Sequence, residues 1–208
     1  MGTLAGLSEH QHRSPTDEIS VFTRKILQSL LDIFTNARPR ELRADGTDLP
    51  VLSFTDGACE RSGVTIGAVI IDTAGLFPPV MWGGHAPKHL VDKWRSGGLE
   101  QVIGQAELLP VVLVKHSMAQ QLKHRRIIYY VDNDSARQSL TKGYSPSIHS
   151  NHIIQTMNSL ESLTQSWSWF TRVPSASNPA DEPSRLVLIP SASNHFAKVV
   201  PMQLQRHQ

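Results

Sequence analysis

The chain has 208 residues, of which 39% are hydrophobic and 18% charged, and its formal net charge is +2. This length suits one medium domain with an appendage, and the composition is that of a soluble globular protein. The weak positive charge permits a nucleic-acid partner without indicating one, and the single Cys59 excludes an intramolecular disulfide. No apolar run approaches the roughly 20 residues that cross a bilayer, and the first residues lack the pattern of a secretory signal. We therefore expect a soluble, intracellular protein without a membrane partner.

The first part of the chain is expected to stand apart from the main domain. Residues 1–17 are polar and predicted to be disordered. From Asp17 to about Asn36, apolar residues recur at helical spacing, and Pro39 prevents much continuation. The predicted organisation is a disordered N-terminus plus helix (1–48), a compact domain (49–186) and a C-terminal tail (187–208).

The compact domain alternates between strand and helix patterns. Short apolar runs bounded by turn-forming residues predict five strands, in the stretches 51–56, 64–72, 79–84, 125–134 and 166–173. Residues 85–103 are predicted to be a loop-rich insert. Helical spacing predicts helices from about Ile103 to Leu122, over SARQSLTKG and from Asn151 to about Gln165, with a last helix starting near Asp181. A meander of three strands followed by alternating helices and strands predicts a mixed α/β sheet with helices on its faces.

Four carboxylates adjoin these elements. Asp56 ends the first strand in SFTDGA, Glu107 lies on a helix in GQAELLP, Asp132 ends the fourth strand in IIYYVDND, and Asp181 lies in NPADEPSR. If the first and fourth strands are parallel neighbours, Asp56 and Asp132 emerge at the carboxyl edge of the sheet, where such folds bind ligands. Glu107 would then reach the site from a helix packed beside that edge, and Asp181 would close it.

Carboxylates that lie close together repel one another, and a bound divalent cation offsets this repulsion. Mg²⁺ prefers oxygen ligands, and two ions can activate a water and stabilise the leaving oxygen of a phosphodiester. No Ser/His/Asp or Cys/His grouping is evident, which fits attack by water. Asn133 and Arg185, next to the acids, are candidates for contacts with a nucleic-acid backbone.

Taken together, T-D-G-A, Q-A-E-L-L, Y-V-D-N-D-S-A and N-P-A-D-E-P-S-R resemble, in this order, the ribonuclease H domain of retroelement (DIRS-like) reverse transcriptases. The resemblance covers about residues 49–186 and implies a ribonuclease H-like mixed five-stranded sheet flanked by helices. It implies cleavage of the RNA strand of RNA–DNA hybrids, with two Mg²⁺ (or Mn²⁺) held by the catalytic residues Asp56, Glu107, Asp132 and Asp181. The helix before the domain resembles the connection that follows a polymerase domain, so an upstream reverse transcriptase domain is an expected partner.

One departure from the family pattern concerns a histidine. Many cellular members of the family carry a His shortly before the last Asp, and VPSASNPAD has none. This absence is expected to affect the rate more than metal binding.

Related nucleases and a non-catalytic module are the alternatives to this function. Integrases and transposases end their acidic set with a Glu, and junction resolvases place their last two acids close together, so the order here disfavours both. A catalytically silent ribonuclease H-fold module that binds nucleic acid or acts as a scaffold remains the alternative.

Structural roles are expected for one further acid and for two aromatic residues. Asp134 is expected to cap the helix that follows the fourth strand. Trp167 and Trp169, on the fifth strand, are expected to pack in the core rather than stack on bases.

Overall fold

The structure, a computed structural model, describes residues 21–36, 49–60, 63–96 and 102–187. Helix α1 covers Val21–Asn36, within the helix predicted from the spacing of apolar residues. The segment predicted to be disordered, 1–17, and all but the first residue of the predicted tail lie outside the described residues. No helix of the described ranges has the length and apolarity needed to span a bilayer.

A single mixed sheet of five strands organises the domain. The strands are β1 Val51–Glu60, β2 Gly63–Asp72, β3 Val80–His85, β4 Arg126–Val131 and β5 Trp167–Arg172. Their order is β3-β2-β1-β4-β5; β1 and β3 pair antiparallel with β2, whereas β4 pairs parallel with both β1 and β5. This confirms the predicted ribonuclease H-like α/β sheet, in which a meander provides one half and helix-connected parallel strands provide the other.

Helices connect and cover these strands. They are α2 Lys88–Arg95, α3 Ile103–Ser117, α4 Asp134–Lys142, α5 Ile148–Thr164 and the short α6 Asp181–Ser184, which a 3₁₀ turn at Ser175–Ser177 precedes. Helix α3 packs on β1 and against α5, and its residues from Gln105 to Lys115 are all buried. A helix that is apolar on nearly every side is the expected centre of such a core.

Buried charge ties α3 to its neighbours. Lys115 is fully buried, and its Nζ lies 2.5 Å from Glu161 Oε2 on α5 and 3.1 Å from Ser168 Oγ on β5. Ser166 Oγ also accepts a hydrogen bond from this ammonium. A buried ammonium is tolerated only with such partners, so this network sets where α3 lies relative to α5 and β5.

Three sequence expectations are corrected by the fold. The insert at 85–103 contains helix α2, which buries Val91 and Trp94. Trp169 is 71% exposed rather than in the core. Phe170 lies on the core side of β5 and stacks on Tyr129, and because successive strand residues face opposite sides of a sheet, Trp169 faces away from the core. The cap of α4 is Asn133 rather than Asp134, since the Asn133 side chain accepts a hydrogen bond from Ala136 N at 3.0 Å.

Candidate metal centre

The end of the ladder between β1 and β4 brings the first pair of carboxylates together. The parallel ladder between β1 and β4 ends with the pair Thr55 and Val131. The next residue on each strand is an aspartate, Asp56 on β1 and Asp132 directly after β4. Because the two strands are parallel and in this register, the two side chains lie side by side at the carboxyl end of β4. Strand β1 continues to Glu60, so Asp56 lies within it rather than at its predicted end.

A glycine allows α3 to bring Glu107 to this edge. A Cβ on Gly57 would overlap the Ala106 carbonyl and lie 2.8 Å from Glu107 N, so helix and strand are in backbone contact here. Pro110 lies inside α3 and lacks the N–H that would normally bond to the Ala106 carbonyl. The helix nevertheless continues to Ser117, and its contact with Gly57 places Glu107 beside Asp56.

Asp56, Glu107 and Asp132 form one compact group. Each offers a carboxylate oxygen, and these three oxygens all lie within 4.8 Å of one another. Asp56 and Glu107 are each 5% exposed, and Asp132 is half-buried. Within the described part of the chain, Glu107 Oε2 is buried without a hydrogen-bond partner. A buried carboxylate oxygen without a hydrogen-bond partner, next to two further carboxylates, provides the oxygen ligands that a hard cation such as Mg²⁺ requires.

The electrostatics of the group oppose the charged state. Burial, followed by the charges of Asp56 and Asp132, raises the pKa of Glu107 to about 9, although the backbone N–H of Gly57 offsets part of this rise. Burial is also the main cause that raises the pKa of Asp56, with Asp132 and Asp181 adding to it. Hydrogen bonding to Ser184 and the positive charge of Arg185 act in the opposite direction on Asp56.

The fourth predicted ligand, Asp181, is near this group but not part of it. It begins α6, and its charge contributes to the raised pKa of Asp56. Its carboxylate Oδ1 accepts a hydrogen bond from Arg185 Nε at 2.9 Å, and Arg185 Nη1 lies 3.8 Å from Glu60. The structure therefore unites three of the four predicted acids and pairs the fourth with a cation.

The two residues predicted to contact nucleic acid both have intramolecular partners. Asn133 caps α4 through its side-chain oxygen. Arg185 is about half exposed and bridges Asp181 and Glu60. Both lie beside the carboxylate group, so their contacts with a nucleic-acid backbone stay a prediction.

Two residues of the site were missed by sequence reasoning. Gly57 follows Asp56 within the quoted motif, and the close approach of α3 depends on it. Ser184 donates a hydrogen bond to Asp56 Oδ2, which lies 128 positions earlier in the sequence. The glycine that directly follows Asp56 was the available signal for the first, and nothing local marks the second.

Comparison with known proteins gives matches among solved structures only; no family model and no curated protein matches the chain. The chain resembles ribonuclease H1 from the archaeon Halobacterium salinarum, with 17% identity, 66% of this chain and 96% of that chain covered, and a TM-score of 0.47. The chain is also similar to the N-terminal ribonuclease H domain of a Mycobacterium tuberculosis protein, with 14% identity and a TM-score of 0.49. That match covers 67% of this chain and 93% of the other. A third similar structure is a compost-derived ribonuclease H1 in complex with RNA/DNA hybrid, with 15% identity and a TM-score of 0.45. That match covers 65% of this chain and 94% of the other. At these values the fold assignment rests on the strand order and directions of the sheet itself.

Proposed function

We propose that this protein is a metal-dependent endonuclease that hydrolyses the RNA strand of RNA–DNA hybrids. The observation that carries the proposal is the buried group of Asp56, Glu107 and Asp132, with Glu107 Oε2 lacking a partner among the described residues. Three carboxylates this close are stable as anions only beside a cation. An all-oxygen donor set suits Mg²⁺, with Mn²⁺ as a substitute.

Each residue of the group has a defined task in this proposal. Asp56, Glu107 and Asp132 hold the cation at the carboxyl edge, and Asp181 extends the set so that two ions are held. The ions, when bound, supply an activated water and stabilisation of the leaving oxygen of the phosphodiester. Arg185, beside Asp181, and Asn133, beside Asp132, contact the nucleic-acid backbone in this arrangement.

The hybrid substrate and the retroelement context rest on the sequence motifs. The order of the four acidic motifs resembles that of retroelement ribonuclease H domains, which act on RNA–DNA hybrids. Helix α1 exposes Leu27, Leu31 and Phe34 at helical spacing, which supports contact between this helix and a neighbouring domain, such as an upstream reverse transcriptase. In this organisation residues 1–48 comprise an N-terminal segment and the connection-like helix, 49–186 the nuclease domain and 187–208 a tail.

A catalytically silent module that binds nucleic acid remains the second candidate. The observation that favours it is the pairing of Asp181 with Arg185, at 2.9 Å, outside the group formed by the other three acids. A site that keeps its fourth acid neutralised in this way would bind fewer ions and retain the fold without the reaction.

Cleavage assays separate the two candidates. The full chain is incubated with labelled RNA–DNA hybrid, duplex DNA or a Holliday junction, in Mg²⁺ or in EDTA. We expect cleavage of the hybrid alone, only with Mg²⁺. Asp56→Asn should reduce the rate by more than about 100-fold, beyond the range usual for outer-shell partners of a metal.

The matched control is Asp134→Asn, which neutralises an acid two positions from Asp132. Asp134 pairs instead with Arg137 at 3.1 Å and Arg172 at 3.6 Å, so its loss should leave cleavage nearly unchanged. Hybrid binding without cleavage in any divalent ion would favour the silent module, and cleavage of the junction would favour a resolvase.

A further inference from the structure

Ser184 is buried beneath the carboxylate group and contacts one of its members directly. The side chain is fully buried, and its Oγ donates a hydrogen bond to Asp56 Oδ2. The same Oγ lies 2.8 Å from the backbone carbonyl oxygen of Asp181, so the hydroxyl lies between the Asp56 carboxylate and the backbone of the residue that begins α6. Its single proton favours the carboxylate, since charged acceptors form the stronger hydrogen bond.

The turn that carries Ser184 is docked on the sheet by backbone contact. Gly67 on β2 and Gly83 on β3 are register partners, and Gly67 is also the partner of Asp56. A Cβ on either glycine would overlap the backbone of Pro183 or Ser184. These glycines therefore let α6 lie directly on the sheet. Because Gly67 and Gly83 lie beside Asp56 in the strand register, α6 lies next to Asp56.

A second contact fixes the approach to this turn. Asn178 is buried, and its Nδ2 donates to the carbonyl oxygen of Thr55, the residue before Asp56, at 3.1 Å. The Asn178 side-chain oxygen accepts from Ala180 N at 3.2 Å, so both ends of this amide are used. The segment that carries Asp181 is thus anchored to β1 at two neighbouring points, the backbone carbonyl of Thr55 and the side chain of Asp56.

We propose that Ser184 is a positioning residue for Asp56. Its hydroxyl holds Oδ2, which leaves Oδ1 for the ion and couples the docking of the Asp181 turn to the geometry of the first ligand. A carboxylate with one oxygen fixed loses less freedom on binding an ion than one that rotates, as for outer-shell partners of metal ligands generally. This inference rests on the proposed function.

Binding of Mn²⁺ alone tests the role of Ser184. The dissociation constant is measured from free Mn²⁺ by electron paramagnetic resonance, on the full chain and on Ser184→Ala, together with kcat and KM for the hybrid. We expect Ser184→Ala to raise the Mn²⁺ dissociation constant by about tenfold or more and to lower kcat at limiting metal. KM for the hybrid should stay within about twofold, because Ser184 is buried away from any substrate.

The matched control is Ser53→Ala, which removes another fully buried hydroxyl from the strand that carries Asp56. Ser53 Oγ has no hydrogen-bond partner in the described part of the chain, so Mn²⁺ affinity should be unchanged. If Ser184→Ala fails to fold, Ser184→Cys decides, because a thiol keeps the size of the side chain but donates weakly.

The outcomes separate this inference from the function on which it rests. A dissociation constant within about twofold of the wild-type value in Ser184→Ala, or in the Cys variant if that is the one that folds, overturns the role of Ser184 and leaves the metal site intact. Absence of Mn²⁺ binding by the wild-type chain overturns both. A tenfold loss in the Ser184 variant, with Ser53→Ala unaffected, supports the positioning role.

Discussion

The carboxyl of Glu107 occupies a place where its own charge is disfavoured. It is 5% exposed, it faces Asp56 and Asp132, and its pKa is raised to about 9 from an ordinary value of 4.5. Without a cation this group therefore stays protonated at neutral pH, whereas in the unfolded chain it is ionised. A cation that binds here must displace that proton, so metal affinity should increase with pH.

Glu107 should also make the metal-free protein less stable as pH rises. The folded state keeps the proton that the unfolded chain releases above pH 4.5, so the free energy of unfolding falls between pH 4.5 and about 9. The slope for one proton is at most about 1.4 kcal/mol per pH unit. Glu107→Gln removes this titration, and in EDTA it should be more stable than the wild-type chain at pH 8.5 and show a flatter pH dependence.

Urea unfolding at pH 5.5 and pH 8.5 measures the effect. Glu182→Gln, which changes an exposed acid of α6, is the matched control and should keep the wild-type slope. Equal slopes in Glu107→Gln and the wild-type chain would show that the Glu107 carboxyl is already ionised in the folded protein.

At the scale of the elements, the site depends on how closely α3 approaches β1. Gly57 is the point of contact, and a Cβ there would overlap the backbone of Ala106. Gly57→Ala should therefore push α3 away from the strand, cost about 1–3 kcal/mol of stability and displace Glu107 enough to weaken Mn²⁺ binding. Thermal unfolding and Mn²⁺ titration measure the two effects.

Gly84→Ala is the natural comparison, because Gly84 also lies in a strand but a Cβ there has open space within 4 Å. That variant should be as stable as the wild-type chain or slightly more so. Full Mn²⁺ affinity in Gly57→Ala would mean that the close contact is not what places Glu107.

The elements themselves were predictable to different degrees. All five strands follow from short apolar runs bounded by turn-forming residues, a signal that is local and strong. Helix α2 was missed because eight residues are too few to establish helical periodicity, although Val91 and Trp94 lie on its buried side. The exposure of Trp169 depends on which face of β5 the helices cover, and this is a tertiary fact.

The same division applies to the site. The meeting of Asp56 and Asp132 follows from their places after two apolar runs and from the assumption that these strands are parallel neighbours, which the register confirms. The pairing of Asp181 with Arg185 and the contact of Ser184 with Asp56 join residues through the docking of α6 on two glycines. No local pattern encodes that docking, so those contacts could not be predicted from the sequence.

For the whole molecule, cation binding should be visible as added stability. A ligand that binds only the folded chain stabilises it by about 2.7 kcal/mol at a concentration 100 times its dissociation constant. We expect Mg²⁺ to raise the melting temperature of the wild-type chain at constant ionic strength and to have little effect on Asp132→Asn, which lacks one carboxylate of the group.

Asp92→Asn serves as the control, because Asp92 is exposed on α2 and pairs with Lys88 at 2.6 Å. It should keep the full Mg²⁺ response. A response of equal size in Asp132→Asn would assign the stabilisation to ions bound elsewhere on the chain.

The parallel pairing of β1 with β4 also determines when the site can come into existence during folding. Asp56 belongs to an antiparallel meander of neighbouring segments, which needs only short loops to form. Asp132 and Glu107 join it only after the chain has closed a long loop and placed α3 against β1. Closing a long loop costs chain entropy before the contacts that it permits can form, so we expect these contacts to form late in folding. The three carboxylates meet only where β1, α3 and the end of β4 are packed together, so ion affinity is a property of the completed fold.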